Sequence, residues 1–338
     1  MLCSKNVFGN GTIYNIDDVQ GKIYCVCTAC MSVWADFLSW ANAHKFRMVF
    51  TPQDADNIIV LSCQVTDLAI YNDLQTLWAL QKQYPTKQFY IGGCLAYRFD
   101  IELGDNIKRL SNTHVDGQFL FDNQLVKYIE PFWSNKNGNA GILFRQAYPL
   151  RIGVGCSRKC SYCTIRHTRA PCYNLDANVD ELVYAHKIWP RRNIVLIADN
   201  PTVVQLSKWL VTAEKENIPI SLRNIEPSTA VELWKEIKIL SSESLLSVFH
   251  CPIQSCDVKI LENMNRDVAN TLYIYNHIYQ LAAHTTCATN IIVDYMDFNN
   301  NWTLDVYDRF HYVSWNPYWD NKWDLDKARL RWRRYFGA

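Results

Sequence analysis

The sequence has 338 residues, 49% of them hydrophobic and 20% charged, enough for about two domains with cores of their own. Its 34 basic and 33 acidic residues leave a formal charge of +1, which excludes the strongly basic balance of many nucleic-acid-binding domains and confines any such contact to a local patch. Nothing at the start resembles a signal peptide, and the most apolar stretch, residues 23–35, falls short of the ~18 residues of a membrane span, so a cytoplasmic protein is expected.

The 13 cysteines are therefore expected as reduced thiols, and an odd number cannot all pair, which favours metal or cluster ligation. Three apolar, strand-like runs in the first hundred residues each end in a cysteine: KIYCVCTAC at Cys30, NIIVLSC at Cys63 and KQFYIGGC at Cys94. Helix-like stretches separate them. The first is MSVWADFLSWANAHKF; the second is VTDLAIYNDLQTLWALQKQYP, with Thr66 or Asp67 as its cap and a stop before Pro85. Alternation of this kind builds a parallel sheet, and ligands gather at the carboxyl ends of its strands. The pattern predicts an N-terminal βαβ sheet domain over residues 1–130 in which Cys30, Cys63 and Cys94 converge at one end. Three buried small apolar residues are the competing reading.

Polar, glycine-containing segments such as SNKNGNAG mark a linker, after which a second domain is predicted over residues 145–338. Its strand candidates are YPLRIGVGC, NIVLIADN, IPISLRNIEP, LLSVFHCPIQ, TNIIVDYMDF and RFHYVSWNPY, most of them separated by helical segments. Six strands in this rhythm predict an α/β fold with a partial (β/α)6 barrel, its reactive site at the strand carboxyl ends. The last segment, WDLDKARLRWRRYFGA, reads as an amphipathic helix packed on the barrel, with basic residues that also suit a phosphate backbone. Trp315, Tyr318 and Trp319 before it and Trp323 at its start are candidates for base stacking, with core filling as the competing reading.

The stretch IGVGCSRKCSYCTIRHTR places Cys156, Cys160 and Cys163 after the first barrel strand. A structural zinc would require a fourth ligand, for which Cys172 or His167 is at hand, and a cubane cluster also normally takes four thiolates. The Cys-x3-Cys-x2-Cys spacing, however, resembles that of the radical S-adenosylmethionine (SAM) enzymes, whose three cysteines leave one iron open for SAM. The two halves together resemble the radical SAM methylthiotransferases, with MiaB-type tRNA enzymes and RimO-type ribosomal-protein enzymes as the familiar branches. The matching segments are TACMSVWAD, ADNIIVLSCQVTDLA and IGGCLA for a second set of cysteines, CSYCTIRHTRA for the cluster motif, SLRNIEP for the third barrel strand, and FHCPIQSCDVKILENMNR.

That resemblance implies two [4Fe-4S] clusters, one on Cys156, Cys160 and Cys163 and one on Cys30, Cys63 and Cys94, with SAM as the further cofactor. It implies cleavage of SAM to a 5′-deoxyadenosyl radical, hydrogen abstraction from the substrate, sulfur delivery from the second cluster and methylation by a second SAM. Tyr162 would cover the cluster, and Arg169, Asn200, Arg223, Glu226 and Gln254 would contact cofactor or substrate, His250 joining them at a strand end. Salt bridges, helix caps and hydrogen-bonded structural side chains are the competing readings of these residues. The substrate implied is C2 of N6-isopentenyladenosine beside a tRNA anticodon, reached by unstacking a loop base. An aspartate of a small-subunit ribosomal protein is the alternative, and a non-catalytic iron–sulfur protein a second. An electron donor such as flavodoxin or ferredoxin, a sulfur donor, a monomeric state and no membrane contact complete the expectation.

Departures from the family pattern are Ala170 and Cys256 where glycines are usual, and VDYMDFNN in place of a Gly-Phe-Pro-Gly-Glu loop. Family members also continue into a small β domain, TRAM, which this sequence is expected to lack.

Overall fold

The computed structural model describes residues 11–43, 47–111, 143–144, 147–164, 173–174, 179–190, 193–295, 303–320 and 322–336. The linker SNKNGNAG, Arg169, His167, Cys172 and Ala170 lie outside them. The chain divides into two units: residues 1–132 with 167–169 and 319–338, and residues 133–166 with 170–318.

The first unit holds strands β1 (Ile23–Cys27), β2 (Asn57–Ser62), β3 (Gln88–Gly93) and β4 (Ile107–Arg109), in the order β1-β2-β3-β4. All three pairings are parallel. Helices α1 (Met31–Ala43) and α2 (Asp67–Gln83) make the first two crossovers. Every residue of β2 is buried, as a central parallel strand covered on both faces must be. Its alternation separates two interiors: Ile58 and Val60 pack with Ile70, Leu74 and Leu77 of α2 and with Phe89 and Ile91 of β3. The start of α2 follows the sequence. Thr66 caps it, its Oγ1 accepting from the Ala69 N–H at 3.0 Å.

The last helix of the chain departs from its expected place on the barrel. It spans Leu325–Phe336 and packs on α2, where Arg331 pairs with Asp67 at 3.0 Å and Trp332 meets the Tyr71 ring at 5.9 Å. Just ahead of it, Trp319 is buried in the core beneath α2, with the Arg98 guanidinium 5.0 Å from its ring centroid. An apolar stripe fits any apolar surface, and here the accessible one belongs to the first unit.

The second unit is built on strands β5 (Tyr148–Arg151), β8 (Ile194–Ile197), β9 (Ile220–Arg223), β10 (Leu246–His250), β11 (Thr286–Val293) and β12 (Tyr312–Pro317). They form one sheet in the order β12-β11-β10-β9-β8-β5, all parallel. The short strands β6 (Gly153–Val154) and β7 (Tyr173–Asn174) pair antiparallel beside it. Helices fill every crossover of the large sheet: α3 (Asp180–Ile188), α4 (Val203–Lys215), α5 (Pro227–Glu232) with α6 (Trp234–Ser242), α7 (Val258–Asn263) with α8 (Val268–His277), and α9 (Thr303–Tyr307). The terminal helix on α2 is α10. Six parallel strands in sequential order are what an open (β/α)6 barrel requires, and each of the six predicted segments supplies one. The fifth differs in extent, since β11 begins at Thr286, ahead of the predicted TNIIVDYMDF.

Candidate iron–sulfur sites at the strand ends

In the first unit each strand delivers its cysteine by a different local device. Cys30 follows β1 and immediately precedes α1, and its carbonyl accepts from the Trp34 N–H at 3.2 Å. Cys63 follows β2, where its own N–H is held by the Asp73 carboxylate at 2.6 Å and its Sγ accepts from the Val65 N–H at 3.5 Å. Cys94 opens a short 3-10 helix directly after Gly93. Gly93 has φ +76°, and a Cβ there would stand 2.5 Å from the Ser62 carbonyl oxygen. Only glycine allows β3 to turn so close to the end of β2, and the Ser62 hydroxyl completes the junction by donating to the Gly92 carbonyl at 2.7 Å.

Burial pushes the Cys63 thiol well above its ordinary value, and the neighbouring Cys30 and Cys94 thiols push it further by charge repulsion, with Asp73 adding to them. The three are thus near enough to feel one another. Gln64, next in the chain, is 2% exposed, and neither its amide nitrogen nor its amide oxygen has a hydrogen-bond partner. Buried polar atoms without partners are rare and signal a missing neighbour. Three convergent thiols beside such an amide fit an iron–sulfur group.

In the second unit the turn after β5 is fixed by Asp199, at the end of β8. One carboxylate oxygen accepts from the buried Arg151 guanidinium at 2.8 Å and from the Gly155 N–H at 2.9 Å. Gly155 has φ +81°, and Cys156 follows. Burial raises the Cys156 thiol to about 11, assisted by Cys160, Glu226 and Asp199 and opposed by the Arg158 N–H on its sulfur.

The cysteine loop then rests on the segment after α7. Ser161 donates its N–H to Met264 O at 3.1 Å and its hydroxyl to Asn263 O at 2.9 Å, while Asn265 donates to Lys159 O at 3.0 Å. Arg266 places Nη1 2.7 Å from Glu226 Oε2 and 3.9 Å from Cys160 Sγ, and Nη2 2.7 Å from Pro252 O. Arg158 is fastened to the Ser228 hydroxyl. Tyr162 packs on the apolar group of Ile260, Met264, Ile292 and Tyr295, and burial raises its hydroxyl well above the ordinary range.

The other candidates separate. Glu226 is the N-cap residue of α5, and its carboxylate is bound to Arg266. Arg223 ends β9 with its guanidinium 5.8 Å from the Phe144 ring centroid. Asn200 stands just beyond β8, next to Asp199. Gln254 has φ +68°, and its backbone joins Asn290 O and the Ile292 N–H, each at 2.9 Å. His250 is a structural residue: Nδ1 accepts from the Asn224 N–H at 3.1 Å, and Nε2 lies 3.1 Å from Asn290 Oδ1. Those partners assign the proton to Nε2, and burial with the Arg223 charge lowers its pKa to about 3.

Arg266, Asn263 and Asn265 carried no site role in the sequence reading, although ENMNR stood inside a matching segment; their distance in sequence from the cysteines hid the contact. Among the described residues no cysteine of either set is in a disulfide, and no group of three His, Cys, Asp or Glu side chains is disposed to hold a single metal ion. A cubane differs from a single ion, since each thiolate takes its own iron and the sulfurs stand farther apart.

No family model matches the sequence. Curated relatives do. The chain is 24% identical over 254 residues to the ribosomal protein uS12 methylthiotransferase RimO of Hydrogenobaculum sp., covering 72% of this chain and 60% of that one. It is 20% identical over 285 residues to the tRNA-2-methylthio-N(6)-dimethylallyladenosine synthase of Bdellovibrio bacteriovorus, covering 74% and 61%. It is 22% identical over 283 residues to the threonylcarbamoyladenosine tRNA methylthiotransferase MtaB of Aquifex aeolicus, covering 74% and 67%. Among solved structures, the cobalamin-dependent SAM radical enzyme OxsB matches with a TM-score of 0.48 and 9% identity over 93% of this chain and 55% of that one.

The chain is similar in sequence to radical SAM methylthiotransferases. Within them its similarity extends to ribosomal-protein and tRNA enzymes alike, and it spans about 60% of the length of the first of these relatives. Among the described residues no helix is long and apolar enough to cross a membrane.

Proposed function

We propose that the chain is a radical SAM methylthiotransferase acting on tRNA, adding sulfur and a methyl group at C2 of N6-isopentenyladenosine beside the anticodon. The observation that carries this is a recurrence: each unit holds a set of three cysteines outside any disulfide, Cys30, Cys63 and Cys94 just past the ends of the parallel strands β1, β2 and β3 in one, and Cys156, Cys160 and Cys163 in the single loop that follows β5 and β6 in the other. Three thiolates hold three irons of a cubane and leave the fourth exchangeable, which neither a structural zinc site nor an electron carrier requires. Bound clusters and SAM supply the radical and sulfur chemistry.

What the chain supplies is binding, orientation and exclusion of water. Asn200, Arg223, Glu226 and Gln254 stand at or just past the carboxyl ends of β8, β9 and β10, where ligands of parallel sheets bind, and are the candidates for the polar groups of SAM. Arg169 is a further candidate on the family motif alone. Helix α10 turns Lys327, Arg329, Arg333 and Arg334 to solvent, a concentration of positive charge that supports an RNA phosphate backbone as the docking partner. A flavodoxin- or ferredoxin-like reductant and a sulfur donor complete the scheme, which functions in a cytoplasmic monomer.

The second reading, methylthiolation of an aspartate of the ribosomal protein uS12, is favoured by the RimO names among the relatives. Anaerobic incubation with SAM and reductant, followed by mass spectrometry of isopentenyl-modified tRNA and of uS12 in parallel, separates them. A thiomethyl gain on tRNA that disappears in Cys63→Ala supports the proposal; a gain confined to uS12 replaces it with the second reading.

A further inference from the structure

We propose that Arg266 is a positioning residue that raises the reduction potential of the cluster held by Cys156, Cys160 and Cys163, and that Glu226 opposes it. The inference rests on the reading of those cysteines as cluster ligands. Its physical basis is the arrangement of charge around Cys160. The Arg266 side chain is 3% exposed, and its guanidinium is fixed on three sides, by the Glu226 carboxylate at 2.7 Å, the Pro252 carbonyl at 2.7 Å and the Cys160 sulfur at 3.9 Å.

Burying a cation and an anion together forfeits hydration that their mutual attraction repays only in part. Apolar side chains of the same size would hold α5 and α7 as firmly. What they would lack is an N–H donor and a full positive charge against a ligand sulfur. Cluster potentials respond to net charge, to hydrogen bonds on the sulfurs and to solvent exposure, and in a site with little water a charge at this distance acts with little screening. Reduction adds one electron to an already anionic thiolate cluster. The Arg266 cation stabilises the added charge; the Glu226 anion, one guanidinium away, disfavours it. The rigid, delocalised fork lets one side chain hold both partners at once, which a lysine ammonium does less well.

Opposite charges give opposite signs, and that is the test. In the full chain, with Cys63→Ala removing the other cluster, an anaerobic redox titration followed by electron paramagnetic resonance reads the midpoint potential. Arg266→Met is expected to shift it to more negative values and Glu226→Gln to more positive ones, with Arg266→Met/Glu226→Gln between the two. Arg266→Lys, which keeps the charge, restores most of the shift. If the pair only held the fold, both single variants would admit water and move the potential the same way, with Arg266→Lys no better than Arg266→Met, and the inference would fall. Should Arg266→Met fail to fold, Glu226→Gln against the double variant still gives the sign. A wild-type protein whose iron content is unchanged by Cys160→Ala would overturn the cluster reading itself, an outcome distinct from a loaded cluster with potentials that shift together.

Discussion

Trp319 donates its indole N–H to the Val65 carbonyl at 3.0 Å, tying the approach to the last helix to the loop that carries Cys63. The ring itself is buried in the core of the first unit, so its contribution divides into area and hydrogen bond. Trp319→Ala is expected to cost about 3–5 kcal/mol, the range for a large aromatic removed from a core. Trp319→Phe should lose about 1 kcal/mol, the net worth of one hydrogen bond. Urea unfolding of the apoprotein measures both.

Gln64 leads to a gain. Both polar atoms of its amide are buried without partners, and each such atom costs about 1–3 kcal/mol. Gln64→Leu should therefore stabilise the apoprotein by at least about 1 kcal/mol in the same unfolding experiment. A Leu variant less stable than the parent would mean that the amide is satisfied in solution.

His250 makes stability depend on pH. Its pKa is about 3 in the fold against 6.5 in its ordinary state, so below pH 6.5 the unfolded chain binds a proton that the folded chain refuses. Its contribution is complete above about pH 6.5 and declines as the pH falls toward 3. His250→Gln, which does not titrate, should flatten that part of the apoprotein's stability profile; equal slopes for parent and variant would refute the assignment.

The exposed cations of α10 offer a measurement on RNA. If they meet phosphates, Arg333→Gln/Arg334→Gln should weaken tRNA binding and lower the slope of log affinity against log salt by about 1–2, since each phosphate contact contributes roughly 0.9 on a duplex. Asp67, which pairs with Arg331 on the packed side, is expected to be neutral in that assay only when replaced in a way that preserves the helix, and Asp67→Asn is the control.

Much of this architecture was legible in the chain. Alternating apolar runs and caps gave β1 to β3, the Thr66 start of α2 and six barrel strands in order, because those signals are local. Cys156, Cys160 and Cys163 stood out by their spacing within one loop, and Cys30, Cys63 and Cys94 by their recurrence at the ends of apolar runs. The position of α10 was not, since its stripe specifies an apolar partner without saying which. The short β4, Ile107–Arg109, carries too few residues to show a period. Arg266 was hidden by distance: it lies 106 residues beyond Cys160, and no pattern within a window of sequence joins them. For His250 the sequence allowed a pocket contact, and it was two backbone and side-chain partners from other segments that fixed it as structural.

The shelf formed by Asn263, Met264 and Asn265 sets an order of events during synthesis. Cys156, Cys160 and Cys163 emerge from the ribosome early, yet the hydrogen bonds that shape their loop come from residues about a hundred positions later, as with Ser161 and Asn263, 102 apart. Until α7 has been made and packed, the loop lacks its support. The loop therefore takes its folded shape only after four of the six strands of the large sheet, β5, β8, β9 and β10, have been made.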